Sequence, residues 1–157
     1  MFYKKKIIYL SSPGGHLIQL LKIAKYVNEK DILFIINDRP GGQKTDFDPI
    51  MKNKTFIITH AERLSWKQII NFIEAFYYIL KFRPRVFLST GASPAVPFSL
   101  VSKLIGTKVI FVESLSRVNM PSLTGRIMYN IADEFYVQWP NLKKIFPSAL
   151  YYKNLFQ

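Results

Sequence analysis

The sequence lacks cysteine altogether, and its 157 residues include only two histidines, His16 and His60. Without thiols the chain forms no disulfide framework and offers no thiolate ligand to a metal, which fits a reducing compartment. Two histidines without cysteine also argue against a structural zinc site. We therefore predict no bound metal.

Long apolar runs are also missing. No stretch offers the roughly 20 apolar residues that a membrane-spanning helix requires. The basic residues Lys4, Lys5 and Lys6 precede an apolar run that ends by Ser11. The apolar segment of a signal peptide is longer. The sequence thus predicts a chain that is not integral to a membrane by this route.

Acidic residues are scarce. Aspartate and glutamate number 10 against 22 lysines and arginines, which gives a formal net charge of +12. Such a surplus predicts an anionic partner: nucleic acid, a phospholipid surface or a phosphorylated substrate. A merely solvated basic surface is the alternative. No basic run exceeds Lys4–Lys6, which argues against a nucleic-acid-binding arm.

Apolar residues make up 49% of the chain, enough for the core of one domain over residues 1–157. Short apolar runs alternate with segments of helical periodicity. The runs that read as buried strands are 6–10, 32–36, 55–59, 86–89, 108–112 and 134–138. The helical stripes are Leu17, Leu20, Leu21 and Ala24; Val96, Leu100, Val101 and Leu104; and Leu123, Ile127 and Ile131. This alternation predicts an α/β fold, a Rossmann-like parallel sheet with helices on both faces.

Two strand ends lead into corners that contain glycine. The first holds Gly14, Gly15 and His16, and the second holds Gly91 and Ser93. Ligands of open parallel sheets bind beyond the carboxyl ends of the strands, and glycines before a helix N-terminus suit a phosphate. Ser93 is predicted as the N-cap of the next helix. Neither corner matches a dinucleotide or ATP fingerprint, so no cofactor is predicted.

His16 and Glu113 are the candidate catalytic residues. An imidazole at the mouth of a corner can act as a base on a hydroxyl or contact a phosphate; the alternative is that it caps local backbone. Glu113 ends an apolar run, so its carboxylate is expected in the same crevice, where it would orient a histidine or bind sugar hydroxyls. For Glu113 the alternatives are a salt bridge to Arg117 and a helix cap. We interpret His60 as structural.

The segment 65–84 predicts a helix with an aromatic surface. Ser65 and Gln68 form a capping box at its start, and Pro84 marks its end. At 100° per residue its apolar side chains cover an arc of about 180°, wider than the roughly 100° that a surface helix buries. An unusually wide core-facing surface is one explanation, and a lipid interface is the other. The predicted membrane-binding residues are Trp66, Ile69, Phe72, Ile73, Phe76, Tyr77 and Leu80.

The remaining face of this helix is otherwise polar. Tyr78 and Phe82 fall on it, and the core cannot cover both faces. Positive charge lies nearby, supplied by Lys67, Lys81, Arg83 and Arg85. An aromatic helix with basic neighbours predicts contact with an anionic membrane surface.

Several short motifs give the chain a resemblance to a known family over nearly its whole length. They are Gly-Gly-His at 14–16, Ser-Thr-Gly-Ala at 89–92, Phe-Val-Glu-Ser-Leu-Ser-Arg at 111–117, Ser-Leu-Thr-Gly-Arg at 122–126 and Val-Gln-Trp-Pro at 137–140. The chain resembles the accessory subunits of two-component glycosyltransferases. These include the membrane-anchor subunit of the eukaryotic N-acetylglucosaminyltransferase of lipid-linked oligosaccharide assembly, and bacterial capsule and exopolysaccharide proteins of the PssD type.

The resemblance implies that the chain is the N-terminal half of a GT-B glycosyltransferase split into two polypeptides. This half would bind an acceptor sugar linked to undecaprenyl diphosphate. It would lie on the cytoplasmic face of the plasma membrane as a peripheral protein. A separate subunit would bring the nucleotide sugar, and the chain would be inactive alone.

The leading hypothesis, which joins this resemblance to the residues above, assigns roles to individual side chains and N–H groups. His16 would deprotonate or orient the acceptor hydroxyl, with Glu113 as its supporting carboxylate. Arg117 and Arg126 are candidate contacts to the diphosphate or to the partner subunit. The residues expected to receive phosphate are Gly14, Gly15, Gly91 and Ser93.

Three other functions remain open at this point. The chain is alternatively a pure membrane scaffold that stabilises the partner and contributes no catalytic residue. A basic nucleic-acid-binding module is a second alternative, although no recognised binding motif is present. A stand-alone small-molecule enzyme with a Rossmann-like fold is the third. The polar segment 37–54 is interpreted as a mobile or ligand-binding loop, and the tail 151–157 as a docking or fraying segment.

Overall fold

Seven strands form one sheet at the centre of the structure. The computed structural model describes residues 7–27, 32–37, 51, 55–61 and 65–151. The strands are β1 (Ile7–Ser11), β2 (Ile32–Asn37), β3 (Thr55–Ile58), β4 (Val86–Ser89), β5 (Lys108–Val112), β6 (Glu134–Val137) and β7 (Leu150–Tyr151). The helices include α1 (Gly15–Ala24), α2 (Gln68–Phe82), α3 (Ala95–Leu104), α4 (Leu123–Met128) and a 3-10 helix, Pro140–Lys144. Most of the predicted loop 37–54 and the tail beyond residue 151 lie outside the described residues.

The strand order is β3-β2-β1-β4-β5-β6-β7, and every neighbouring pair is parallel. The chain moves outwards from β1 to β3 and then returns to the other side of β1 to add β4. Ile8 accordingly pairs with Leu33 on one side and with Phe87 on the other. Ligands of open sheets bind where the order reverses. The predicted Rossmann-like parallel sheet is confirmed, while β7, with two residues, is too short to recognise in the sequence.

Alternate strand residues enter two separate hydrophobic cores. In β1, Ile8 and Leu10 face the core beneath α2, α3 and α4, whereas Tyr9 faces the core beneath α1. All three side chains are fully buried. Helices therefore cover both faces, as predicted, and burial on both faces explains why the strands read as continuous apolar runs.

The inward faces of α3 and α4 differ from the predicted stripes. Leu104, Leu123 and Ile127 are exposed. Helix α4 instead turns Gly125 inward, and a Cβ on that glycine would stand 1.9 Å from the Oε2 atom of Glu113. A polar contact beneath the helix, which hydrophobic periodicity does not register, thus selects the face that α4 buries.

Helix α2 begins later than predicted and without a capping box. It spans Gln68–Phe82, and no described side chain caps its first turn. Ser65 Oγ accepts a hydrogen bond from the Lys67 backbone N–H at 3.3 Å. The Gln68 side chain donates instead to the hydroxyl of Ser93. A contact with a distant part of the chain therefore replaces the local one.

The inward surface of α2 is small and polar rather than broadly apolar. Its fully buried residues are Asn71, Ala75 and Ile79. Asn71 Nδ2 donates to the Thr59 carbonyl at 2.9 Å, and the Glu74 carboxylate accepts from the Thr59 N–H and hydroxyl, both at 2.9 Å. These bonds satisfy the backbone just after β3, where the sheet ladder ends. Polar residues are therefore needed on the inner face of α2.

Tyr78 and Phe82 do not lie on an uncovered face, so that prediction is wrong. Both are half-buried and pack against Phe56 of β3, with ring centroids 5.3 and 5.6 Å from it. Burial raises the pKa of the Tyr78 phenol, and the charge of Glu74 adds to the shift. The edge strand offers an aromatic partner that a helical wheel does not include.

Two isoleucines of α2 test this orientation. Ile79 is fully buried, and Ile73 is 66% exposed. We expect Ile79→Ala to lower the free energy of unfolding by about 3 kcal/mol, because it leaves a cavity. Ile73→Ala is expected to change it by less than about 0.5 kcal/mol. Urea unfolding followed by circular dichroism measures both, and equal losses would contradict the orientation.

Candidate functional site

The two glycine corners lie side by side at the carboxyl ends of β1 and β4, which are neighbours in the sheet. The Nδ1 atom of His16 lies 2.7 Å from the carbonyl oxygen of Thr90. The Thr90 hydroxyl donates to the His16 carbonyl at 2.8 Å. Two residues 74 positions apart in the chain are thus joined by a pair of hydrogen bonds, and the two corners form one site.

These contacts determine which ring nitrogen of His16 carries the proton. A carbonyl oxygen only accepts, so Nδ1 is protonated and donates to Thr90. Nε2 then holds the lone pair, and no described residue is hydrogen-bonded to it. The side chain is half-buried, so part of it remains accessible to solvent. In this tautomer Nε2 is the nitrogen that can act as a general base.

The imidazole of His16 packs directly against the backbone of Gly91. A Cβ at this position would stand 2.6 Å from Cε1 and 2.7 Å from Nδ1 of His16, and φ is +127°, which favours glycine. The Gly91 N–H donates to Ser89 Oγ at 3.2 Å, and that hydroxyl donates to the Gly91 carbonyl at 3.1 Å. The predicted phosphate contact through this N–H is therefore corrected, because the group already has a partner.

The first corner, in contrast, is open. Gly14, at φ +90°, and Gly15 are exposed, and apart from chain neighbours no atom lies within 4 Å of where either Cβ would stand. Helix α1 starts here with no acidic residue in its first turn and no cap from a described side chain. Its first N–H groups and the positive end of its dipole suit the predicted phosphate.

Ser93 is not the N-cap of α3, which corrects the sequence prediction. The helix begins at Ala95 with Pro94 in the capping position, and no described side chain caps it. Ser93 Oγ accepts instead from the amide of Gln68, in the first turn of α2. Ala92 has φ +111°, a strained conformation for a residue with a Cβ. The second corner is therefore a strained turn that α2 helps to hold.

The Glu113 carboxylate forms hydrogen bonds within the loop between β5 and α4, and none of them is to His16. Its carboxylate is 1% exposed and accepts from the Ser114 N–H at 2.9 Å and from the N–H and hydroxyl of Ser122 at 3.0 to 3.1 Å. Ser122 Oγ in turn accepts from the Gly125 N–H at 2.8 Å and caps α4. The predicted pair of His16 and Glu113 is corrected, because both groups have other partners. The helix-cap alternative fits the geometry.

Two buried glutamines, Gln19 and Gln138, lie close to these segments and were not predicted as site residues. Gln138, just after β6, donates to the Glu113 carbonyl at 2.8 Å and to Gln19 Oε1 of α1 at 3.2 Å. Both amides are more than nine-tenths buried. Trp139 donates to the Leu115 carbonyl at 2.6 Å. The Val-Gln-Trp-Pro motif thus joins α1, β6 and the loop after β5. Its place among the motifs shared with the family was the one sequence feature that pointed to Gln138.

Arg117 and Arg126 lie on the loop after β5 and on α4. Arg117 is half-buried and Arg126 is exposed. Neither guanidinium forms a hydrogen bond or an ion pair with another described residue. Their contacts to a diphosphate or a partner therefore stay predictions.

Six of the seven predicted membrane-binding residues are exposed to solvent. We call them the apolar face of α2, counting Trp66 in the turn just before the helix: Trp66, Ile69, Ile73, Phe76, Tyr77 and Leu80, which are between 44% and 70% exposed. The seventh, Phe72, is half-buried and packs against the core, so its prediction is corrected. Within the described ranges, no helix has the length and apolar content needed to cross a bilayer.

The fold is that of the N-terminal half of a GT-B glycosyltransferase. MurG of Acinetobacter baumannii superimposes with a TM-score of 0.69 over 87% of this chain, at 17% identity. A UDP-GlcNAc 2-epimerase of Methanocaldococcus jannaschii gives a TM-score of 0.66 over 90% of the chain, at 15% identity. This chain covers 42% of each of those structures.

The chain belongs to the family described as oligosaccharide biosynthesis protein Alg14 like, whose model matches residues 7–155. The UDP-N-acetylglucosamine transferase subunit ALG14 of Saccharomyces cerevisiae is 36% identical over 170 residues and 88% of this chain. Subunits of the same name from Yarrowia lipolytica and Candida albicans are 28% and 33% identical over 96% and 73% of the chain. The chain spans 71%, 67% and 55% of these three relatives. The resemblance to the eukaryotic subunit is confirmed, and that to bacterial capsule proteins stays a prediction.

Gly91 and Ala92 give opposite predictions for stability. Gly91→Ala would place a Cβ against the His16 ring at a positive φ, so we expect a loss of at least about 2 kcal/mol in unfolding free energy. Ala92→Gly is expected to stabilise by about 0.5 kcal/mol, because glycine tolerates φ +111°. Thermal unfolding measures both. A neutral Gly91→Ala variant would contradict the close contact with His16.

Proposed function

We propose that the chain is the acceptor-binding, non-autonomous subunit of a two-component inverting UDP-N-acetylglucosamine transferase. The observation that carries this proposal is the imidazole of His16, which is bonded through Nδ1 to the Thr90 carbonyl, has no described hydrogen-bond partner at Nε2, and lies beside an open glycine corner. Membership of the Alg14-like family and the names of the relatives support the substrate class. The acceptor is a sugar linked to a lipid through a diphosphate.

His16 is the proposed base. Its Nε2 takes the proton of the acceptor hydroxyl while that oxygen attacks the anomeric carbon of the donor sugar. The bond from that carbon to the nucleoside diphosphate breaks, and its electron pair leaves with the diphosphate. The Nδ1–H continues to donate to the Thr90 carbonyl, which orients the ring and stabilises the imidazolium that forms.

The lipid diphosphate is proposed to bind at the first corner. Gly14 and Gly15 allow close approach to the backbone, and the N-terminus of α1 supplies N–H groups and a partial positive charge. Arg117 and Arg126 are proposed as additional cationic contacts to this diphosphate or to the partner.

A second subunit is proposed to supply the nucleotide sugar. The chain matches the N-terminal half of the GT-B glycosyltransferase on which it superimposes and covers 42% of it, and the proposal assigns the other wall of the cleft to the partner subunit. No group in the described crevice is assigned to the leaving diphosphate of the donor, which inverting transfer must stabilise. We therefore expect no turnover by this chain alone.

The apolar face of α2 is proposed to bind the cytoplasmic surface of a membrane peripherally. Exposed Trp, Ile and Phe side chains next to basic residues suit a headgroup region with anionic lipids. The predicted bacterial setting, capsule or exopolysaccharide assembly with an undecaprenyl carrier, stays a prediction, since the relatives reported above are fungal transferase subunits.

Removing the imidazole tests the base. In a complex reconstituted with the nucleotide-sugar subunit, we expect His16→Ala to lower kcat by about 100-fold or more. Added imidazole is expected to restore part of the rate, a response that loss of a merely structural contact would not give. The matched control is His60→Ala, which removes the other histidine and is expected to retain turnover.

The outcome also separates the proposal from its main alternative. Near-normal turnover by His16→Ala, with an unchanged melting temperature, would remove His16 from the mechanism. It would favour the scaffold reading, in which the chain holds and stabilises its partner only.

Vesicle binding tests the membrane surface. We expect Ile69→Glu with Ile73→Glu to weaken binding to phosphatidylglycerol-containing vesicles by about tenfold or more, because two charges enter the interface. Ile18→Glu with Tyr26→Glu is the matched control, since both residues are exposed on the α1 side of the sheet. Equal losses for both pairs in a sedimentation assay would show that α2 is not the contact surface.

A further inference from the structure

The apolar face of α2 is not uniform along the helix. The three residues nearest its start are 64% to 70% exposed, and the three nearest its end are 44% to 56% exposed: Trp66, Ile69 and Ile73 against Phe76, Tyr77 and Leu80. The start of the helix therefore offers the larger fraction of each apolar side chain to a surrounding medium.

Positive charge follows the opposite gradient. Lys81, Arg83 and Arg85 are exposed at or just beyond the end of α2. Lys81 Nζ donates to the Tyr77 hydroxyl at 2.8 Å and lies 4.9 Å from the centroid of its ring. A tyrosine paired with a cation suits the headgroup level of a bilayer. Among the described residues at the start of the helix, Lys67 is the single basic one, and its long side chain can extend back towards the headgroups.

We propose, on the basis of the membrane contact assigned above, that α2 binds an anionic bilayer at a tilt. The end at Trp66 lies deeper than the end at Leu80. Apolar area draws the first turns into the acyl boundary, while the basic residues at the other end hold that end among lipid phosphates. The net charge of +12 complements such a surface, and lipid is therefore the occupant of this face.

The tilt has a direct consequence for the site. The first turn of α2 is bonded to the second glycine corner, because Gln68 donates to Ser93. The other end of α2 leads into the start of β4, at the amino ends of the strands. There the Arg85 carbonyl accepts from the Lys108 N–H. The deeper end of α2 is thus the end bonded to the corner that also holds His16. A diphosphate at headgroup level would meet this corner while its lipid chain stays in the bilayer.

Depth-dependent fluorescence quenching tests the tilt in the 157-residue chain. Both variants carry Trp139→Phe, so that each has one tryptophan. One keeps Trp66, and the other combines Trp66→Phe with Leu80→Trp. Vesicles of phosphatidylglycerol and phosphatidylethanolamine carry bromine either near the headgroup or near the chain end. We expect the ratio of deep to shallow quenching to be about twofold higher for Trp66 than for Leu80→Trp.

Each outcome bears on a different claim. An equal ratio, or a higher ratio for Leu80→Trp, would overturn the tilt while leaving the membrane contact intact. Unbrominated vesicles and circular dichroism of both variants control for binding and folding. If neither variant sediments with vesicles although both are folded, the membrane contact itself fails, and the tilt fails with it.

Discussion

The contact between His16 and the turn after β4 is the interaction on which the site depends. It joins the two strands between which the order of the sheet reverses, through two hydrogen bonds and a ring that fills the place of a missing side chain at Gly91. Because the partner of Nδ1 is a backbone carbonyl, no ionisable group selects the tautomer. The nitrogen proposed as the base is therefore held in its tautomer by the backbone, without a carboxylate partner.

Helix α2 meets two requirements that pull in opposite directions. Its inner face must satisfy the polar backbone at the end of β3, which Asn71 and Glu74 do, and this leaves little room for large apolar groups inside. The aromatic and branched side chains are therefore divided between an edge cluster around Phe56 and the surface. An outward apolar face thus follows from packing and is available for function.

Local patterns in the sequence predict the strands, the glycine corners and the outward side chains of α2, because each depends on residues close together in the chain. Several assignments fail for the opposite reason, and three of them illustrate it. Ser93 bonds to Gln68, Glu113 bonds to Ser122, and α4 turns Gly125 inward, each through contacts between separate segments. Hydrophobic periodicity predicts that the most apolar side of a helix is buried. It therefore fails for α4, which faces the buried carboxylate of Glu113. The buried amides of Gln19 and Gln138 are missed on the same grounds.

The outward face of α2 also governs how the protein behaves away from lipid. A contiguous apolar strip on a water-facing helix attracts any complementary strip, including the same one on a second molecule. In dilute aqueous buffer the chain would thus tend towards reversible self-association, with colloidal stability that improves when mild detergent occupies the strip. Homogeneous preparations for spectroscopy or crystallisation depend on masking that strip rather than on strengthening the core.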